Sequence, residues 1–361
     1  MNRDLLENKR KKAASFDPNG PSHGKGRLFG LPFTFEESAI AILPVPWEVT
    51  VSYQHGTALG PEAILRASQQ VDLYDPELQN AWKYGIYMLD ISKEWMQRNN
   101  QLRPRALEIQ RLREKGDIGM VQIDNALDSI NQACRELENW VYAQSERLIN
   151  HGKLVAVVGG EHSVSLGFMK ALTNKYRNFG ILQIDAHADL REAYEGFEYS
   201  HASVIYKALA IEEVSKIVQV GLRDYCLEEA ERMSQSRERI VSFSDQAIRH
   251  RLYRGETWTA ICDEIVEALP ENVYITFDID GLDPKLCPHT GTPVPGGFET
   301  EELFFLIRRI IDSGRRIIAF DLVEVAPGDN DWDGNVGARV LFRLANFLLK
   351  SNPERAASFL P

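Results

Sequence analysis

Short, almost wholly apolar runs that each close on a polar cluster constrain this chain more than any other feature. Ala39-Ile40-Ala41-Ile42-Leu43-Pro44-Val45-Pro46 reads as a strand, as do residues 154–158, 180–185, 216–222, 239–243, 272–280 and 316–322. These runs do not alternate apolar with polar, so both faces of each strand are expected to be buried. Stretches of helical periodicity separate them: 124–151, with Leu127, Ile130, Cys134, Leu137, Val141, Leu148 and Ile149 on one broad face, then 163–177, 226–235, 257–269, 300–313 and 335–350. Pro61 sits where an earlier helix would begin. Strands alternating with helices in this way predict an α/β fold whose parallel sheet is covered on both sides.

Periodic structure begins near Ser38, so residues 1–27, rich in Lys, Arg, Asn, Gly and Ser, read as a flexible N-terminal arm or one that orders on a neighbouring subunit. Residues 28–361 read as a single domain, with a polar, basic excursion near 92–120. The net charge of −11 argues against nucleic acid or an anionic membrane as partner, and it suits a cationic substrate. No stretch approaches the ~20 apolar residues of a membrane span, and the polar start has no apolar signal core. Cys134, Cys226, Cys262 and Cys287 are far apart and form no CxxC pair, which suggests reduced thiols in a cytoplasmic protein.

The chemistry concentrates where three apolar runs end. Gly159-Gly160-Glu161-His162-Ser163 follows the first, Asp185-Ala186-His187-Ala188-Asp189-Leu190-Arg191-Glu192 the second, and Asp278-Ile279-Asp280-Gly281-Leu282-Asp283-Pro284 the third. In open parallel sheets ligands bind beyond the carboxyl ends of strands, so these loops should converge on one crevice. Spacing by two along an extended segment places side chains on one side, where they can face one ion. Two histidines (His162, His187) and four aspartates (Asp185, Asp189, Asp278, Asp280) form a hard, oxygen-rich set. It suits two divalent cations, manganese first with nickel or cobalt tolerated, and does not match structural zinc. Such a site can make hydroxide from water at neutral pH.

These motifs, with Ser200-His201-Ala202-Ser203, resemble the ureohydrolases: arginase, agmatinase, formiminoglutamase and their relatives. The likeness spans roughly residues 38 to 350. It implies an arginase-like three-layer α/β/α fold with a mostly parallel sheet of about eight strands. It also implies a binuclear manganese site and assembly as trimers or hexamers. By motif, His162, Asp185, Asp189 and Asp278 would hold one ion, and His187, Asp185, Asp278 and Asp280 the other, with Asp185 and Asp278 bridging. Hydroxide made there would attack a guanidino carbon and release urea. Asp189 would pass a proton to the departing nitrogen, His201 would shuttle protons to solvent, and Glu324 would grip the guanidinium. Thr292 falls on a family active-site position.

The substrate side resembles the agmatinase branch. The loop Arg191-Glu192-Ala193-Tyr194-Glu195-Gly196-Phe197-Glu198 carries three glutamates that could favour an amine tail, and Asp224 resembles an arginase position that meets the substrate's amino group or else caps a helix. Trp47, Tyr53 and His289 are bulkier than the branch usually carries. At the mouth of the pocket they would shorten it toward free guanidine, often a nickel-dependent activity in such relatives. Agmatine and free guanidine are therefore both expected substrates, with formiminoglutamate and guanidino acids as alternatives. A non-catalytic scaffold relative would typically lose ligands, and none is missing here.

Overall fold

The computed structural model describes residues 3–22, 26–116, 121–236 and 238–361; the ends of the N-terminal arm and the close of the 92–120 segment lie partly outside them. Among the described residues, eight strands form one sheet: β1 (Ile40–Val45), β2 (Ile86–Met88), β3 (Leu154–Gly159), β4 (Phe179–Ile184), β5 (Val214–Val220), β6 (Ile240–Phe243), β7 (Asn272–Asp278) and β8 (Arg316–Val323). Every pairing is parallel, in the order β2-β1-β3-β8-β7-β4-β5-β6. The chain steps from β3 past two vacant positions to β4, runs out to β6, and returns to fill the gap with β7 and β8. This brings the carboxyl ends of β3, β8, β7 and β4 side by side.

The helices are α1 (Arg3–Ser15), α2 (Gly60–Ala67), α3 (Lys93–Glu114), α4 (Val121–Asn150), α5 (Ser165–Leu172), α6 (Val204–Ala208), α7 (Leu227–Gln235), α8 (Asp245–Tyr253), α9 (Trp258–Glu267), α10 (Thr300–Asp312), α11 (Trp332–Ser351) and α12 (Pro353–Ala357). Side chains from α2, α9, α10 and α11 close one face of the sheet with Ile42, Val158, Ile184 and Ile275. Side chains from α3 to α6 close the other with Leu43, Val157, Ile181 and Tyr274. This is the three-layer arrangement that uniformly apolar strands require. No helix among the described residues is long and apolar enough to cross a membrane.

The second face carries an exception to its apolar character. Ser242, Gln219, Gln183, Thr276 and Asp321 occupy one register row across β6, β5, β4, β7 and β8. The middle three and Asp321 are fully buried. A polar row inside a sheet persists only if its members satisfy one another. Ser242 Oγ donates to Gln219 Oε1 at 2.9 Å and Gln219 Nε2 to Gln183 Oε1 at 2.7 Å.

The 92–120 segment is not a surface excursion over its described length. Most of it is α3, which packs on α4 and buries Trp95, Asn99, Leu102, Arg103, Ala106, Ile109 and Gln110. Three of those buried residues are polar and Pro104 lies mid-helix, which disguises the periodicity. Strand β2 and helix α8 are also absent from the sequence expectation, β2 being only three residues long. The 163–177 helix is a 3₁₀ turn at His162–Val164 followed by the shorter α5.

Residues 1–27, expected to be a flexible arm, contain α1, and its Lys9 is fully buried. Lys9 Nζ donates to the carbonyls of Glu37 at 2.7 Å, Tyr84 at 2.8 Å and Phe359, tying the arm to both ends of the fold. Burial pushes this amine down to about 7, with Glu37 opposing and Lys153 adding repulsion. Between pH 7 and the unfolded value of 10.5 the unfolded chain holds a proton that the folded chain sheds, so stability should gain a component that rises with pH. Denaturation of wild type and Lys9→Met across pH 7 to 10 checks this. The stability difference between them should change with pH in favour of wild type, and a constant difference would count against the docked amine.

Candidate metal centre

The Gly159-Gly160-Glu161-His162 turn leaves β3 under tight constraint: a Cβ on Gly160 would lie 1.9 Å from the Trp47 carbonyl oxygen. Glycine here lets the β1 and β3 ends meet. Gly281 does the same between the β7 and β4 ends, where a Cβ would lie 3.0 Å from the Asp185 amide nitrogen. The backbone then locks the aspartates. Ala186 N donates to Asp280 Oδ1 at 2.9 Å, His187 N to Asp185 Oδ1 at 2.7 Å, and Asp280 N to Asp278 Oδ1 at 2.9 Å.

Two clusters result, His162 with Asp185 and Asp278, and His187 with Asp185 and Asp280. Within each, the ligand-type atoms lie within 4.8 Å of one another. Asp185 belongs to both. His162 Nδ1 is buried without a well-aligned hydrogen bond, yet carboxylate oxygens of Asp189, Asp185 and Asp278 stand 2.9, 3.1 and 3.4 Å away. His187 Nδ1 lies 2.9 Å from Asp280 and 3.7 Å from Asp185. Gln183, from the polar row, donates to Asp185 Oδ2 at 2.8 Å and so orients the shared carboxylate.

The electrostatics call for positive charge at two points. Burial works against imidazolium at His162, but Asp185, Asp189 and Asp278 outweigh it and hold the ring well above the usual histidine range. Burial likewise opposes the charge at His187, and Asp280 and Asp185 win. Burial together with Asp185 raises Asp189 to about 7, and burial with Asp280 and Asp185 raises Asp278 strongly. Buried carboxylates crowded around two imidazole nitrogens, that of His162 without a hydrogen bond, fit a pair of divalent cations, whose charge would replace those protons.

A cleft of about 350 Å³ opens onto this centre. His187, Asp189, His201, Thr292, Asp224 and Tyr53 all line it, with Ser52, Arg191, Tyr194 and Tyr225 among the remaining walls. Burial, then the nearby His187, Arg103 and His162, push His201 down to about 3, so its ring is neutral at pH 7. Its Nδ1 lies 3.2 Å from Ser200 Oγ and its Nε2 3.4 Å from Ser52 Oγ. Glu324, directly after β8, is buried with its Oε2 beside Gly291 and is not among the described residues that line the cleft. Its Oε1 accepts from His162 N at 2.8 Å, while Oε2 has no partner. Asp189 and Glu324 both take left-handed backbone, with φ of 53° and 63°. Such strain concentrates at working sites.

Trp47 and His289 are not at the mouth, contrary to expectation. Trp47 is 0% exposed and packs edge-on against Trp95 in the core. His289 Nδ1 pairs with the buried Asp333 at 2.8 Å, outside the cleft lining. Nor do the loop glutamates face the cleft: Glu195 accepts from Gln110 at 2.6 Å, Glu198 lies 3.4 Å from Arg135, and Glu192 3.8 Å from Arg232. Each side chain is held by a helix distant in sequence, which local pattern does not reveal.

Sequence reasoning also missed a supporting layer. Thr50 donates to Glu161 through its amide (2.8 Å) and hydroxyl (2.9 Å), and the same hydroxyl accepts from His201 N at 3.1 Å. Arg103 and Gln110 of α3 hold the Thr50 loop by its carbonyls, at Val49 (3.1 Å) and Val51 (3.2 Å). The buried face of α3 thus underpins the loop that meets His201. The glutamate inside Gly-Gly-Glu-His was the one available signal.

A family model described as the arginase family matches residues 38–346. The chain is 30% identical over 294 residues to the N(1)-aminopropylagmatine ureohydrolase of Thermus thermophilus, covering 81% of this chain and 84% of that one. It is 32% identical over 298 residues to the agmatinase of Bacillus anthracis, covering 81% and 86%. The crystal structure of the agmatine ureohydrolase of Thermoplasma volcanium superposes with a TM-score of 0.68 at 21% identity, covering 96% of this chain and 99% of that one. That likeness shows the shared fold.

Proposed function

The chain belongs to the arginase family, and from that premise we propose that it hydrolyses a guanidinium compound, cleaving a C–N bond to release urea with an amine or ammonia. The observation that carries this reading is the pair of His/Asp clusters sharing Asp185 at the floor of the cleft.

His162, Asp185, Asp189 and Asp278 would hold one divalent ion, and His187, Asp185, Asp278 and Asp280 the other, manganese first and nickel second. When bound, such a pair supplies a water that ionises near pH 7 instead of ~15.7. The protein's own side chains do the rest. A guanidinium stays protonated at any ordinary pH and is a poor electrophile, so it must be held still and its leaving nitrogen protonated. Glu324 Oε2, an unpartnered buried acceptor, would pair with the planar cation. Asp189, on the cleft lining, would pass a proton to the departing nitrogen. His201, on the cleft lining beside the hydroxyl of Ser52, would relay protons between the cleft and solvent.

An amine-tailed substrate such as agmatine is favoured by Asp224 on the cleft wall. Arg191, the one arginine or lysine among the described lining residues, lies over the Tyr194 ring at 4.7 Å and 3.8 Å from Glu229, so its charge is already engaged. Free guanidine is the second reading, favoured by Tyr53, whose ring is 75% exposed at the cleft and offers a flat face to a planar cation.

The test is urea release by manganese- and nickel-loaded protein from agmatine, guanidine, arginine, 4-guanidinobutyrate and formiminoglutamate side by side. Agmatine or guanidine should lead by about tenfold or more in kcat/KM, equivalent to ~1.4 kcal/mol. Preference for guanidinobutyrate would instead assign Arg191 to a carboxylate tail, and no urea from any of them with two ions bound would sink the assignment. We also place the protein in the cytoplasm as a homo-oligomer, trimer or hexamer. All four thiols are free and three are buried, and Tyr74, Leu227 and Tyr253 are exposed. Light scattering on the purified chain tests the assembly.

A further inference from the structure

We propose that Asp321, which touches neither the cleft nor any ligand carboxylate, fixes which nitrogen of His162 faces the metal, acting through Thr276. The inference rests on the metal-centre reading above. The three groups form a linear chain across the polar row: His162 Nε2 lies 2.8 Å from Thr276 Oγ1, and Thr276 Oγ1 lies 2.9 Å from Asp321 Oδ1. The Tyr274 hydroxyl donates to the other oxygen, Asp321 Oδ2. All four residues are buried, so no solvent proton is at hand to relax the pattern.

Counting hydrogens then leaves one arrangement. Burial raises the Asp321 carboxyl, while His162 and the hydroxyls of Tyr274 and Thr276 favour its ionised form; an ionised carboxylate only accepts, so both hydroxyls point at Asp321. Thr276 has a single hydroxyl hydrogen, and Asp321 takes it. Toward His162, Thr276 therefore presents a lone pair, and Nε2 must carry the proton. Nδ1 is left to the cluster of Asp185, Asp189 and Asp278, where it stands 2.9 to 3.4 Å from their oxygens. A metal-binding imidazole is set in this way by whatever its other nitrogen bonds. The usual partner is a carboxylate or carbonyl in direct contact; here a threonine relays the demand from a carboxylate on the neighbouring strand. This gives the buried charge in the middle of β8 a use that packing does not.

Asp321→Asn tests it. The asparagine carbonyl can still accept from Tyr274, and its amide then donates to Thr276, turning the threonine hydrogen toward Nε2 and the imidazole proton toward Nδ1. Manganese affinity, measured by competition with a chelating dye, should fall about 10- to 100-fold. Thr276→Val should fall likewise, Thr276→Ser should restore most of the affinity, and Tyr274→Phe, which leaves the relay intact, should stay within about threefold. Thermal melts of the metal-free proteins show which variants are folded. Wild type carrying two manganese ions beside a folded Asp321→Asn of equal affinity would overturn this inference alone, whereas wild type unable to bind two ions would overturn the metal-centre reading itself. Nitrogen NMR of ¹⁵N-histidine wild type loaded with diamagnetic zinc needs no variant. A proton on His162 Nε2 is expected, and a proton on Nδ1 would refute the relay.

Discussion

Asp185→Asn should empty both halves of the metal centre at once. Asp185 is the carboxylate common to the His162 and His187 clusters, and its oxygens are set by Gln183 and by the His187 amide. Asparagine matches its shape, and its one amide oxygen can keep one of those two contacts while the other donor loses its acceptor. What disappears is one negative charge shared by two dications, in a buried place where charge is costly to leave unbalanced. Urea release should drop by about 10³-fold or more, or ~4 kcal/mol of barrier. Mass spectrometry should find fewer than one ion per chain in protein that keeps its circular dichroism. Asp280→Asn provides the contrast, because Asp280 stands only in the His187 cluster; that variant should retain the ion at His162. Two tightly held ions in Asp185→Asn would mean that the clusters are not coupled through this residue.

Glu324→Gln should do the opposite, keeping the metals and losing the reaction. Its Oε1 anchors the His162 amide, a role glutamine can fill. The unpartnered Oε2 would meet the substrate: burial and Glu161 hold this carboxyl well above the usual range, and a cation beside it would draw it into the charged form. Replacing it with an amide removes the negative end of a charge-assisted pair and turns an acceptor into a donor facing a cation. Turnover on the preferred guanidinium substrate should fall about 10²-fold or more, near 3 kcal/mol, with KM raised and two ions still bound. If metal content fell in step with activity, Glu324 would be a support for His162 and not a grip on substrate.

Much of this molecule is legible in the chain because its signals are local. A strand buried on both faces is apolar along most of its length, so the runs ending at Gly159, Ile184 and Asp278 announce both the parallel sheet and the edge at which a site will form, even with Gln183 and Thr276 inside them. The ligand residues follow those runs directly. Helix α3 was not legible, because a helix that supports a polar loop buries Asn99, Arg103 and Gln110, and these read as surface. Trp47 and His289 failed for a related reason. A bulky side chain beside a motif can turn toward the core or toward the cleft, and Trp95 and Asp333, far off in sequence, supply the partners that decide it.

The sequence by itself therefore determined the α/β class and the set of histidines and aspartates gathered at strand ends, since both depend on neighbours along the chain. The family likeness already placed Asp185 in both ligand sets, whereas only the tertiary structure decided that Arg103 of α3 holds the loop that meets His201 and that Thr276 and Asp321 lie in register beneath His162. Those relations depend on which strands become neighbours and at what stagger. Crossovers that carry β3 past the positions later filled by β7 and β8 set this, and no local stretch of residues encodes it.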